Sequence, residues 1–254
     1  MLATDVTVAV GTTAQSSSPS PGAISLSLLR SFELRIDGRP VQVPLGSQRV
    51  VAFLVLNRSR VARIFLAGNL WIDASEERAA AALRTALWRL GRPAGAIVRS
   101  QGPWLSIDPA VEVDVDAATR TARGLLDEPD GSVTTTALAQ LRDDGDLLAD
   151  WYDDWVLIER ERFRQLRLHA LEALCRRLSG EGRHAHATEA GLAAVAGEPL
   201  RESAHRALIA AHLTEGNACE ALRQYRVCKD LLRSELGLEP SPQLELLVAH
   251  LRMA

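Results

Sequence analysis

The most telling spacing in this sequence lies between Glu76 and Arg92. Ala80, Leu83, Leu87 and Leu90 recur there at intervals of three and four, the mark of an amphipathic helix with one buried stripe. Its other side presents Arg78, Ala81 or Ala82, Thr85, Arg89 and Arg92, with Arg84 and Trp88 on the flank. An α-helix fits the major groove of duplex DNA, where a guanidinium can take both acceptors of a guanine and a threonine methyl can meet that of a thymine. Base readout is accordingly expected of Arg78, Thr85, Arg89, Arg84 and Arg92. Arg99 and Gln101 follow in a hairpin pattern that would lie beside the DNA backbone or minor groove, as a wing does. Arg49, Arg58, Arg60 and Arg63 are candidates for phosphate contacts.

Arginines on one side of a helix also describe a plain solvated face, and the charge of the surrounding module decides between the two readings. From Pro21 to Asp108 twelve arginines face six acids, a balance of +6, whereas the residues after Asp108 carry 17 bases and 25 acids, a balance of −8. The net charge of −3 conceals this asymmetry, and two modules of opposite sign imply different partners.

Other chemistries find little support. Lys229 is the only lysine, which removes the P-loop and most lysine-based catalysis. The six histidines all fall in the second half; His184 and His186, with Cys175 nearby, form neither HExxH nor a paired CxxC pattern and read as surface or groove histidines. Asp143, Asp144, Asp146, Asp150, Asp153 and Asp154 lack the spacing and closing glutamate of a calcium loop, and read as an exposed acidic helix junction able to face a basic partner. No nucleophile elbow or dinucleotide loop appears. No catalytic residue, metal or cofactor is therefore expected, and the chain is not read as an enzyme. Trp71, Trp88, Trp104, Trp151 and Trp155 read as core anchors, and Cys175, Cys219 and Cys228 as reduced thiols. The longest apolar run, Val50 to Leu56, is too short for a bilayer, and the N-terminus lacks the features of a signal peptide. A cytoplasmic, nucleoid-associated protein with no membrane partner is the expectation.

The elements that would position these residues follow from periodicity. With 254 residues, 47% hydrophobic and 24% charged, the chain is long enough for one to two globular domains. Residues 1–23 are rich in Ser, Thr, Pro, Gly and Ala and read as a disordered tail. Alternation from Ile24 through Ile36, then Asp37-Gly38 and Val41 to Val43, predicts a strand, a turn and a short strand. Helices are predicted over Ser47 to Asn57, Ala62 to Trp71 and Ser75 to Leu90, the last with Asp73 and Glu76 in an approximate capping arrangement. Ile97 to Arg99 and Trp104 to Ile107 flank a turn, which closes residues 24–108 as a winged helix.

Residues 109–254 read as helical almost throughout from Val113. Gly182 and Gly216 stand 34 residues apart, each preceded by Glu, each followed five residues later by Ala187 or Ala221 and twelve later by Ala194 or Cys228. That is the tetratricopeptide pattern, in which small side chains let paired helices approach closely. The repeat is imperfect, because Tyr225 occupies the aromatic position at which the first unit has Gly191. The fold class is thus mostly α with a small β component: an N-terminal winged helix-turn-helix followed by an all-α tetratricopeptide-like domain.

Residues Ile24 to Ala254 resemble the Streptomyces antibiotic regulatory protein (SARP) family, which joins an OmpR-type winged helix to a bacterial transcriptional activator domain. The resemblance is carried by Leu66-Ala67-Gly68-Asn69-Leu70-Trp71, by Ala82 to Leu90 and by Val113-Asp114-Val115. It continues through Gly145-Asp146-Leu147-Leu148, Asp154-Trp155, Glu159-Arg160-Glu161, Ala221-Leu222-Arg223-Gln224-Tyr225 and Glu235 to Ser241. Ala82 stands where members commonly carry Asn, and Gly91 where a further base is common, departures that bear on base preference. The resemblance implies a sequence-specific activator, typically of a secondary-metabolite gene cluster, that binds direct repeats in double-stranded DNA and contacts RNA polymerase through a sigma factor or another subunit. The helical domain is expected to form a homodimer or to present the polymerase surface. The competing reading is a tetratricopeptide-like adaptor without specific DNA readout; a third, a small-molecule sensor, would place a pocket between the two domains.

Overall fold

The computed structural model describes residues 23–91, 97–128, 135–142, 145–249 and 251. The expected tail through residue 22, Arg92 and the helix breaker around it, and Asp143 and Asp144 lie outside the described residues. Among the described residues, β1 (Ile24–Ser27), β2 (Glu33–Ile36), β3 (Arg39–Val41), α1 (Leu45–Asn57), β4 (Val61–Ala62), α2 (Arg63–Leu70), α3 (Glu76–Arg89), β5 (Val98–Gln101), β6 (Trp104–Ile107) and β7 (Val111–Val113) precede a run of helices. These are α4 (Asp114–Asp127), α5 (Thr135–Arg142), α6 (Asp154–Gly180), α7 (His184–Gly197), α8 (Glu202–Glu215), α9 (Ala218–Leu236) and α10 (Pro242–Ala249).

The single strand expected from Ile24 to Ile36 is two antiparallel strands, with Leu26 opposite Leu34. The chain reverses between them through Arg30, whose φ of 74° is in the left-handed region. Alternation persists on both sides of this reversal, so periodicity alone does not reveal it. Two strands went unseen in the sequence because they are short. β7 pairs in parallel with β1, Ile24 opposite Val111, giving a four-stranded sheet in the order β3-β2-β1-β7. β4 pairs with β6, Val61 opposite Leu105, and completes a three-stranded sheet with the expected hairpin β5-β6.

The winged helix does not own its core. One hydrophobic cluster runs from Leu26, Leu28, Phe53 and Leu66 in the head to Val115, Leu147, Leu148, Trp151, Val156 and Phe163 in the helical half. Trp155 meets Phe53 edge to face at 5.1 Å between ring centroids, and Trp151 stacks on Phe32 at 6.3 Å. Polar bonds seal the seam. The Asp114 carboxylate accepts the backbone N–H groups of Leu28 (2.9 Å) and Leu29 (3.1 Å). Leu148 N–H donates to Leu28 carbonyl oxygen at 2.8 Å, and Arg30 N–H to Asp146 at 2.8 Å. Burial pushes the Asp114 carboxyl above its ordinary value, against those N–H bonds that favour its charged form.

The helical half follows the repeat. Gly182 and Gly216 take φ values of 73° and 86° at the turns before α7 and α9, a conformation that costs a side-chain-bearing residue about 1 kcal/mol or more. Ala187, Ala194, Ala221 and Cys228 are buried. Gly191 accounts for the missing aromatic: a Cβ there would stand 3.0 Å from Leu208 Cδ1 and 3.2 Å from Cys175 Sγ, so the site has no room for a ring without its neighbours moving. Gly237 ends α9 with φ 66°, and Ser241 at the start of α10 is held by Glu202, which accepts its N–H at 2.9 Å. Burial pushes the Cys175 and Cys228 thiols up to about 11, which keeps them protonated.

His205 departs from the surface or groove placement expected of the histidines, for it is fully buried. Its Nε2 lies 2.8 Å from the Pro199 carbonyl oxygen, which can only accept, so Nδ1 is left to accept from the Gln224 amide at 2.8 Å. A second proton would face that donor. Burial lowers the pKa below its ordinary 6.5, so stability from this site is full above that pH and is lost as pH falls below it, where the unfolded chain binds the extra proton. Urea unfolding from about pH 7.5 to about pH 5.5 is expected to show a falling midpoint, part of which disappears in His205→Gln.

Candidate nucleic-acid interface

α3 is fixed from behind. Ala79, Leu83, Ala86 and Leu90 are buried, and the hydroxyl of the fully buried Ser47 donates to the Ala86 carbonyl oxygen at 2.7 Å, bolting α1 to α3. The buried stripe is thus rotated by about 50° about the helix axis from the expected Ala80-Leu83-Leu87-Leu90 set. The two small buried alanines, Ala79 and Ala86, let α3 approach its neighbours closely. Ser75 is the N-cap and Glu76 and Glu77 occupy the first turn, where their charge suits the helix dipole. The Asp73 cap is not formed; Asp73 precedes the N-cap in a turn closed by Ala74 N–H to Trp71 carbonyl oxygen at 3.0 Å.

The outward face carries Arg78, Ala81, Arg84, Thr85, Trp88 and Arg89, all exposed. Arg78, Arg84 and Arg89 make no hydrogen bond or ion pair among the described residues, so their guanidiniums are available to a ligand. Thr85 Oγ1 donates to the Ala81 carbonyl oxygen at 3.0 Å. Trp88 is 80% exposed and Trp104, on the wing, 44% exposed, which corrects the reading of both as core anchors. Trp151 and Trp155 do anchor the core.

The remaining arginines divide by partner. Arg63, at the start of α2, braces the wing: its Nη2 donates to Ser100 Oγ at 2.7 Å and its backbone N–H to the Pro103 carbonyl oxygen at 2.8 Å. Arg99 forms a two-pronged pair with Asp108, Nε to Oδ2 at 2.7 Å and Nη2 to Oδ1 at 3.3 Å. That bond, with Ala110 N–H, holds the Asp108 carboxyl below its ordinary range. Arg49 pairs with Asp153, and Arg58 with Asp116 at 3.0 Å and Thr119 Oγ1 at 2.9 Å. These two arginines therefore tie the basic head to the acidic helical half. Arg60 and Gln101 stay exposed. The sequence signal for the Arg49 and Arg58 pairs was the opposite charge of the two halves, a signal that does not say which residues meet.

A helix with a bare basic face, set on a winged helix and backed by tetratricopeptide-like helices, defines a regulator of the winged-helix class. Residues 110–252 match the family described as Bacterial transcriptional activator domain, and the chain belongs to that family, as a transcriptional regulator of the SARP type. Regulatory protein AfsR of Streptomyces coelicolor is 29% identical over 244 residues, covering 88% of this chain and 24% of the relative. Regulatory protein AfsR of Streptomyces griseus is 28% identical over 227 residues, covering 85% and 22%. The chain thus spans about a quarter of the length of the curated relatives it matches. The structure of Mycobacterium tuberculosis EmbR in complex with low affinity phosphopeptide shares the fold, with a TM-score of 0.69 at 23% identity over 91% of this chain and 65% of that one. Both curated relatives are named as regulatory proteins. Among the described residues no helix is long and apolar enough to cross a membrane, and no three His, Cys, Asp or Glu side chains cluster as a metal site.

The pair across the seam is measurable. Both Arg49 and Asp153 keep 25% side-chain exposure, so a double-mutant cycle of Arg49→Ala and Asp153→Ala in urea unfolding is expected to return a coupling of about 1 kcal/mol.

Proposed function

We propose that this chain activates transcription in the cytoplasm, at the nucleoid, by recognising direct repeats in double-stranded DNA near the promoter of a biosynthetic gene cluster. α3 enters the major groove with Arg78, Arg84, Thr85 and Arg89 reading bases, and a base contact is also assigned to Arg92, which lies outside the described residues. The wing lies on the flanking backbone with Gln101, and Arg60 adds a phosphate contact. One observation carries the reading: Arg78, Arg84 and Arg89 are exposed without a protein partner, whereas Arg49, Arg58, Arg63 and Arg99 are already engaged. Unpaired guanidiniums can be transferred to DNA without breaking an ion pair. Phosphate roles for Arg49 and Arg58 would require giving up their acids, so they are assigned to the seam.

A second copy on the adjacent repeat would make the active species a homodimer on DNA. RNA polymerase, through a sigma factor or another subunit, is assigned the apolar surface next to α3. Ile64 and Ile72 are exposed there, lining a groove of about 520 Å³ between α2 and α3.

Selection of sites from random duplex DNA at two salt concentrations tests the readout. The wild-type chain is expected to enrich a repeated motif and to lose affinity steeply with salt, as released counterions require. Replacing Arg78, Thr85 and Arg89 together by Ala is expected to abolish the motif. No enrichment by the wild type would move the function to a protein-binding adaptor. On the recovered site, Ile72→Asp is expected to keep DNA affinity while lowering transcript yield from a reconstituted promoter several-fold; equal loss of both would place Ile72 on DNA.

A further inference from the structure

Trp88 is the residue of α3 that neither the core nor the arginines explain. Its indole is 80% exposed, although few side chains lose more by standing in water. The buried side of α3 is set by Ala79, Leu83, Ala86 and Leu90. At 3.6 residues per turn, Trp88 and Ala81 each project roughly 170° from the mean direction of those four. They form the centre of the outward face. Thr85 and Arg84 lie on either side of them, at roughly 130° from the buried direction, and Arg78 and Arg89 stand on one shoulder. The order expected from the sequence, arginines in the middle and tryptophan on the flank, is inverted by the rotation of the buried stripe.

A helix lying in the major groove brings the centre of its outward face closest to the base edges, while long side chains on its shoulders, such as arginine, reach past it to base edges or to the phosphate backbones. Apart from its single N–H donor, the indole presents an apolar surface, continued two turns back by the Ala81 methyl, and such a surface has no counterpart on the polar edges of guanine, cytosine or adenine. One apolar group lies in that groove, the C5 methyl of thymine. We propose that Trp88 is a specificity-determining contact that covers the C5 methyl of a thymine in the operator, with Ala81 and the Thr85 side chain continuing the apolar strip and Arg84 and Arg89 framing it. This inference rests on α3 being the groove-binding helix. It gives the chain a preference for thymine at one position of each half-site, set by shape and burial and independent of the arginine contacts.

The test uses the full chain and the site recovered by selection. Each thymine of one half-site is replaced in turn by deoxyuridine, which keeps base pairing and removes only the methyl group. Wild type is expected to lose about fourfold in affinity at a single thymine, the weight of one buried methyl. Trp88→Ala is expected to bind that site more weakly than wild type, to be insensitive to the same deoxyuridine, and to recover a motif degenerate at that one position. Trp88→Phe is expected to restore the thymine preference in part. A wild-type motif without any thymine whose methyl matters overturns the inference and leaves the reading of α3 intact. So does a Trp88→Ala chain that weakens all duplexes equally, which would place the indole on the backbone. Absence of any wild-type motif overturns both readings together. If Trp88→Ala fails to fold, Trp88→Phe carries the test: a deoxyuridine penalty smaller than that of wild type supports the inference, and an unchanged penalty assigns the methyl to another side chain and overturns it.

Discussion

Everything in this molecule hangs on how the carboxylate of Asp114 ends one strand and begins one helix. Its oxygens take the N–H groups of Leu28 and Leu29, where β1 stops, and that of Val115, where α4 starts, at 2.6 Å. Backbone donors at a strand end and a helix start would otherwise be orphaned in a partly buried place, at a cost of about 1–3 kcal/mol each. The flanking Val113 and Val115 are buried. The three-residue Val-Asp-Val motif is therefore a joint: two apolar plugs and one acceptor between them. The Gly145 to Leu148 segment closes the same joint from the other side. Arg160 keeps it closed by donating to the carbonyl oxygens of Leu147, Leu148 and Trp151.

The charge pattern finds its meaning at the same place. A head of +6 and a remainder of −8 suggested two distinct partners, yet part of each surplus is spent on the other, through Arg49 with Asp153 and Arg58 with Asp116. Such pairs are worth little as free energy at this exposure, but they orient the halves and discourage misdocking. What survives the mutual neutralisation is concentrated on α3, which is why its three bare arginines stand out more in the fold than among the twelve in the head's sequence.

Several features were legible in the residues. The 34-residue repeat shows in the buried small side chains and the two left-handed glycines, because close helix packing leaves a compositional trace. The three head helices and the wing hairpin show in their periodicity. β4 and β7 did not show, since two or three residues carry no period and gain their identity from a partner far along the chain. The reversal at Arg30 was hidden for the same reason, being fixed by bonds to Asp114, Asp146 and Leu148 that no local window contains. At the interface, the residues of the exposed face were legible but its centre was not. Alanine is a poor guide to which way a helix faces, and only the contact of α3 with Ser47 and α1 settles that Ala79 and Ala86 lie inside while Trp88 lies outside.

The parallel pairing of β1 with β7 has a consequence for anyone dissecting the protein. A fragment cut after Asp108 would strip the outer strand from β1, leaving its hydrogen-bonding edge open beside a hydrophobic surface that Trp151, Trp155 and Phe163 normally cover. Such an edge is a template for adding further chains. The smallest autonomous unit of the head thus includes residues far downstream of it, so in this fold the winged helix and its support fold and fail together.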